Sequence, residues 1–318
     1  MITCGKYEWN QIIGEGAYSQ VREATDSLTQ NKYAIKLFKS YGDHIPLSDT
    51  SEGKILDALQ HRHIIRVLEY CDDAVMKKDN KSKKISYIVT ELAEKGCFYD
   101  YIEMSQKFSE PMARRIALQV CDAVGYLHSE GIWHRDIKAE NIMLGTSHHQ
   151  DDSHDSVPLT DIKLGDFGFA TSDTNSDEYK GSGAYMAPEI LKKQTYDCKS
   201  ADVFSLGVLF FLMVVGKYPF TSSNENDCLY RLVHLNKMEL FWRTAVRNRE
   251  FVKQISPEFK DLVSMMISPD ALARPSMCEV KAHPWFTYST SSEAEMHLEI
   301  ESIHAKIIEK NDQFVSFH

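Results

Sequence analysis

The chain has 318 residues, 43% of them hydrophobic and 26% charged, which excludes a disordered polyelectrolyte or a fibrous repeat and leaves room for one large domain or two modest ones. A formal net charge of −10 argues against a broad nucleic-acid-binding surface and favours proteins or small molecules as partners. Seven widely spaced cysteines with no C-x-x-C pair fit free thiols in a reducing compartment, cytoplasmic or nuclear. The opening MITCGKYEWN lacks an apolar signal core, Ile2 stands where a myristoyl anchor needs glycine, and no membrane anchor is evident.

In chain order, Tyr7 to Ile13, Gln20 to Asp26 and Lys32 to Phe38 read as strands, separated by turn signals at Gly14-Glu15-Gly16 and Thr29-Gln30-Asn31. Ser51 to Leu59 reads as a helix, and Val67 to Tyr70 and Ile85 to Thr90 as two further strands. Between those strands lies KKDNKSKK, Lys77 to Lys84, expected as a solvated hairpin turn. Beyond residue 95 helices take over: Ser109 can cap a segment with Met112, Ile116, Val120, Val124 and Leu127 along one face, ending near Gly131. VFSLGVLFFLMVV, Val203 to Val215, is too short to span a bilayer and reads as a helix buried on all sides. SHHQDDSHDS, Ser147 to Ser156, reads as an insertion rather than a metal site, and the tail from residue 287 places Met296, Ile300, Ile303 and Ile307 at helical spacing. Strand runs followed by helix runs give α+β architecture in two lobes, with a boundary near Glu91 to Gly96.

Four stretches carry chemistry. Ile13-Gly14-Glu15-Gly16-Ala17-Tyr18-Ser19-Gln20-Val21 is a glycine-rich turn whose backbone can approach a phosphate, although alone it fits any hairpin. Lys36 stands on an apolar strand, either snorkelling at an edge or held by Glu52 on the next helix and aimed at a nucleotide's phosphates. In His134-Arg135-Asp136-Ile137-Lys138-Ala139-Glu140-Asn141 an acceptor carboxylate, a cation and an amide can converge in one loop. Asp166-Phe167-Gly168 adds a carboxylate suited to Mg²⁺ on a backbone free to turn sharply, and Ala187-Pro188-Glu189 follows.

Taken in order, these motifs resemble those of the eukaryotic protein kinases over residues 7–286. The resemblance implies an α+β, bilobal fold: a small, mainly antiparallel β lobe at about 7–90 with one key helix, a hinge at 91–96, and a larger helical lobe at about 97–286. Residues 287–318 would be a tail, either a docked amphipathic helix or a frayed one. It implies ATP and Mg²⁺ as cofactors and protein substrates as partners. Ile13, Gly14, Gly16 and Val21 would cover ATP, Ala34 would line the adenine pocket, Lys36 paired to Glu52 would contact the α- and β-phosphates, and Thr90, Glu91 and Ala93 would be gatekeeper and hinge. Asp136 would accept the proton of the substrate hydroxyl, Lys138 would steady the transferred phosphoryl group, and Asn141 and Asp166 would hold the metal.

Asp-x-Lys in the catalytic loop resembles the serine/threonine class, with Ser182 expected near Asp136. Leu56, Leu68, His134 and Phe167 would form a hydrophobic spine, Asp202 would brace the catalytic loop, and Arg274 would pair with Glu189. Ser19 at the third glycine position and His283-Pro284-Trp285-Phe286 resemble the calcium/calmodulin-dependent group, although the acidic tail lacks a basic calmodulin target. Cys97 and Leu212 replace acidic positions of many relatives while Glu140 remains, so strong selection of arginine before the phosphoacceptor is not implied. Glu178, or Asp177 one residue away, is expected to pair with Arg135 where relatives carry a phosphate; the alternative is a solvated acidic loop with a switch at Thr171, Ser172, Thr174, Ser176 or Tyr179. The competing function is a catalytically inactive pseudokinase acting as a binding or scaffold module, which normally lacks a lysine or aspartate that this chain retains.

Overall fold

The computed structural model describes residues 2–16, 19–38, 52–78, 81–150 and 156–316. The chain divides into two compact units, residues 1–94 and 95–318, one built on antiparallel strands and the other mainly helical.

In the first unit, β1 (Ile2–Cys4), β2 (Tyr7–Glu15), β3 (Ser19–Asp26), β4 (Lys32–Phe38), β5 (Val67–Lys78) and β6 (Lys81–Glu91) close into a barrel in the order β1-β2-β3-β4-β6-β5. Alternation along the strands turns Tyr7, Trp9, Ala24, Ile35, Leu37, Tyr87 and Val89 into one core. The β3–β4 turn forms because the Asp26 carboxylate accepts from Leu28 N at 2.8 Å and Thr29 N at 3.1 Å. Strand β1 has no counterpart in the sequence reading; it closes the barrel through Thr3 opposite Lys77. KKDNKSKK is a correction as well. Its lysines continue the β5–β6 ladder as far as the Lys78–Lys81 pair, so the segment is mostly strand, and its tip at residues 79–80 lies outside the described residues. The predicted helix from Ser51 is α1 (Glu52–Asp57), Ser51 itself lying outside the description. Leu68 is corrected too: it is 39% exposed on the outer face of β5, while Val67 before it is half-buried, so strand alternation turns Leu68 away from any spine.

The second unit contains α2 (Phe98–Ser105), α3 (Glu110–Ser129), the hairpin β7 (Ile142–Gln150) and β8 (Ser156–Leu164), the short strand β9 (Asn175–Ser176), α4 (Pro188–Leu191), β10 (Tyr196–Asp197), α5 (Cys198–Val215), α6 (Cys228–His234), α7 (Met238–Val246), α8 (Arg249–Gln254), α9 (Pro257–Met266), α10 (Met277–Ala282) and α11 (Glu293–Ser316). Helix α3 starts where Ser109 Oγ accepts from Met112 N and ends before Gly131 at φ 70°. Helix α5 starts on an Asp197 cap, ends on Gly216 at φ 78°, and is buried throughout except at Lys199 and Val215. It is long and apolar enough to cross a membrane, but its apolar surface is spent on the core of this unit, against α3 and α9. The SHHQDDSHDS segment extends the β7–β8 ladder to the pair Gln150–Ser156, with residues 151–155 outside the described residues. The tail forms α11, which packs on α2, α3 and β8 with Met296, Ile300 and Ile303 buried and Ile307 half-buried.

Candidate active site

In the first unit, Lys36 Nζ lies 2.7 and 2.9 Å from the two carboxylate oxygens of Glu52. The local folding is simple: β4 alternation buries Ile35 and Leu37 and turns Lys36 to the opposite face, while Glu52 opens the first turn of α1 and is itself buried. A short, two-oxygen ion pair fixes the ammonium in position rather than leaving it to snorkel. Gly14 pairs with Val21 across β2 and β3, and Gly16 N donates to Ser19 O at 2.9 Å, closing a tight turn whose tip residues Ala17 and Tyr18 lie outside the description. Ile13 is exposed beside it. Ala34 stands opposite Thr90, and Tyr33 opposite Glu91, in the β4–β6 ladder. Glu91 also ties down β5 through Arg66 N at 2.8 Å, and Ala93 follows in irregular backbone.

The second unit gathers the loop between α3 and β7. Asp202, almost fully buried on α5, accepts from His134 N at 2.9 Å and Arg135 N at 2.8 Å, pinning a backbone that carries Arg135 at φ 63°. A non-glycine residue held in the left-handed region costs free energy, and the paired acceptors on Asp202 offset it. The His134 ring accepts from Asp136 N on Nδ1, contacts Gly165 O through Nε2 at 3.0 Å, and meets Phe167 edge-on at 4.8 Å. Donation from Nε2 satisfies both contacts.

These supports orient the Asp136 carboxylate. One oxygen accepts from Ser182 Oγ at 2.8 Å, and the other from Lys138 Nζ at 2.7 Å and Asn141 Nδ2 at 3.0 Å. Lys138 also donates to Ser182 Oγ at 2.7 Å, so acid, base and hydroxyl form a closed triangle. The Asn141 side chain makes both its described contacts through Nδ2, as a donor to Asp136, leaving its amide oxygen to serve as a ligand. Asp166 is exposed at φ 57°, and Gly165 N bonds to Asn141 O at 2.8 Å, which brings the two segments together. One carboxylate and one amide oxygen are the hard-oxygen donors that Mg²⁺ prefers, so the residues fit that metal. Among the described residues there is no group of three or more His, Cys, Asp or Glu arranged as a metal cluster.

Arg135, nearly buried, gathers the segment after Phe167. Its Nε donates to Phe169 O at 2.6 Å, and one terminal nitrogen to Ser176 Oγ at 3.0 Å and Glu178 at 2.7 Å. Glu178 also meets Lys180 at 2.8 Å. Burial is the largest single influence and opposes the Arg135 charge, yet the hydrogen bonds and charges of Glu178 and Tyr196 together outweigh it and raise the guanidinium pKa. Lys180 first, and Arg135 after it, hold the Glu178 carboxyl below its ordinary value against desolvation. Asp177 is exposed and makes no contact with Arg135, so of the two carboxylates only Glu178 faces the arginine. Ser176, Lys180, Tyr196, whose hydroxyl donates to Glu178 O at 3.1 Å, and Tyr185, whose hydroxyl accepts from Ala139 N at 3.3 Å, complete the site. The sequence reading named Ser176 only as a possible switch and did not single out the other three: β9 and β10, two residues each, carry no periodicity to reveal Ser176 and Tyr196 as partners, and Lys180 and Tyr185 lie outside any regular strand or α-helix. Downstream, Arg274 grips Glu189 with two nitrogens at 2.6 and 2.8 Å.

A family profile described as "Protein kinase domain" matches residues 7–286, and the chain belongs to the protein kinase family. It is 32% identical over 287 residues to testis-specific serine/threonine-protein kinase 3 of Mus musculus, covering 88% of this chain and 95% of that one. CBL-interacting protein kinase 29 of Oryza sativa subsp. japonica is 30% identical over 91% of this chain, which spans 61% of that protein. Serine/threonine-protein kinase 33 of Bos taurus is 31% identical, with 91% of this chain and 56% of that one covered.

Proposed function

We propose that this protein is an active serine/threonine protein kinase that transfers the γ-phosphoryl group of ATP to a protein hydroxyl. The observation that carries the reading is the Asp136, Lys138 and Ser182 triangle, with Asn141 and Asp166 beside it. A carboxylate oriented by three donors can align a substrate hydroxyl and take its proton, and Lys138, already on that carboxylate, offers charge to the phosphoryl oxygens as negative charge builds. Asn141 and Asp166 would hold Mg²⁺, which when bound neutralises phosphate charge. Lys36, fixed by Glu52, would bind the α- and β-phosphates; Gly14, Gly16 and Val21 would cover them, and Ala34, Thr90, Glu91 and Ala93 would seat the adenine. Retention of Lys36, Asp136, Asn141 and Asp166 argues against a pseudokinase.

The reading extends to regulation and setting. Glu178 serves as an unmodified counter-charge for Arg135, so the protein is active as synthesised. The free cysteines among the described residues suit a reducing setting, cytoplasmic or nuclear. The test is transfer of radiolabel from ATP to casein and myelin basic protein, with Asp136→Asn as control. Label in the wild type and none in the variant supports catalysis; equal label, or none in either, removes it.

A further inference from the structure

On a chain of net charge −10, residues 241–253 (FWRTAVRNREFVK) hold Arg243, Arg247, Arg249 and Lys253 against the single acid Glu250, and Glu250 is occupied by Lys253 at 2.9 Å. The fold enlarges this local reversal of charge. Gly216, in the left-handed C-cap of α5, lies so close to Gln106 O that a Cβ would stand 1.7 Å from it and 3.4 Å from Lys107 Cβ, so the Lys107 backbone runs against the residue that precedes Lys217. Lys107 Nζ sits 3.3 Å from the centre of the Phe251 ring. Lys217 is half-buried; burial first and the charge of Arg247 second lower its pKa, and no carboxylate bears on it. Among the described residues Lys107, Lys217 and Arg247 have no carboxylate partner. A partly desolvated cation held against a second cation is unfavourable alone, and an arriving anion relieves both.

The cluster is linked to the catalytic loop through two tyrosines. Tyr218, next to Lys217, meets Tyr185 edge-on at 5.4 Å, and Tyr185 holds the catalytic loop at Ala139 N. Glu140 bears on both tyrosines, and one of its carboxylate oxygens is buried without a hydrogen bond. Negative charge therefore stands on the catalytic loop at Glu140, and uncompensated positive charge stands further along at Lys217. We infer that Lys107, Lys217 and Arg247 form a specificity site for acidic residues of the protein substrate, set a short distance along the chain from the phosphorylated serine or threonine. The overall negative charge disfavours a long polyanion such as nucleic acid, whereas a short acidic segment engages the cluster without meeting the rest of the surface.

This inference rests on the kinase reading, and the experiment separates the two. Peptides with one serine and a short aspartate block at increasing distances on either side are compared with an alanine parent. For the wild type, kcat/KM rises about tenfold over the parent at one placement, through KM with kcat unchanged. Lys217→Glu/Arg247→Glu loses that gain and favours a lysine block, while phosphorylating the alanine parent as the wild type does. If no placement gains, or if the gain survives charge reversal, the inference is overturned. Binding of a labelled aspartate peptide with alanine in place of serine, followed by fluorescence anisotropy, reads the cluster without catalysis. If no peptide or protein is phosphorylated, the kinase reading falls, and anisotropy alone decides: binding weakened at least about fivefold by the double reversal supports the site, and unchanged binding rejects it. Should the reversed variant melt early, Lys217→Gln/Arg247→Gln tests the loss of the aspartate gain and of aspartate-peptide binding without added negative charge, and a gain that survives it overturns the inference.

Discussion

Lys36 and Asp166 do different work and fail differently from core residues. Lys36 is held by Glu52 on the strand face opposite the core, and Asp166 is exposed, so Lys36→Ala and Asp166→Ala each lower phosphoryl transfer at least ~100-fold with unchanged far-ultraviolet circular dichroism. Near-normal activity of Asp166→Ala would remove it from the metal site. For the arginine-centred contacts, Glu178→Ala lowers kcat about fivefold to tenfold, a modest loss because Glu178 is 46% exposed and Ser176 and Phe169 O still hold Arg135. Asp177→Ala leaves the rate unchanged, and phosphatase treatment of the wild type leaves most activity. A silenced dephosphorylated enzyme alongside a normal Glu178→Ala variant would show that the segment is ordered by modification instead.

At the scale of elements, α11 is bound by chemistry as well as by apolar burial. Tyr101 donates to Lys95 O at 2.9 Å and meets His304 Nδ1 at 2.6 Å with the rings stacked, and Lys95 reaches Glu301 at 2.6 Å. Donation from Nδ1 of neutral His304 satisfies both Tyr101 contacts. Ile300→Ala, at a fully buried position, costs about 2–5 kcal/mol, read as a lower melting temperature or release of α11 in hydrogen exchange. Burial, with Lys95 beside it, lowers the His304 pKa below its ordinary 6.5 although Glu301 opposes the shift. The docked helix therefore prefers neutral His304: its contribution is complete above the ordinary pKa and is lost as pH falls through the docked one. His304→Gln should shrink the drop in melting temperature between pH ~8 and pH ~5.5, and an identical drop in wild type and variant would exclude His304 as its source.

At the scale of the whole molecule, α5 organises the larger unit. Gly207 lets α9 approach so closely that a Cβ would sit 2.8 Å from Met266 Cβ and 2.9 Å from Ile267 Cγ2. Gly207→Ala therefore costs about 1–3 kcal/mol, seen as a lower melting midpoint. Because Asp202 lies on the same helix, the packing that fixes α5 also fixes the backbone of the catalytic loop. A variant that melts as the wild type does would show that α9 can retreat without strain.

The linear pattern determined much of this protein. Period-two apolar residues with turn punctuation made most of the barrel legible, a capping serine and a 3.6-residue stripe marked α3, and the order of short polar motifs identified the kinase family. These signals are local: a strand's alternation or a loop's residue types remain visible wherever the rest of the chain goes. Tertiary structure decided what depends on distant partners. It paired Arg135 with Glu178 and not Asp177, because β9 meets β10 and sets the register of that segment. It turned Leu68 outward, closed the barrel with β1, and docked α11 by giving His304 and Glu301 partners two hundred residues earlier in Tyr101 and Lys95. It also set Lys217 beside Arg247, since the close approach at Gly216 and the packing of α7 are long-range events with no trace in the spacing of lysines and arginines.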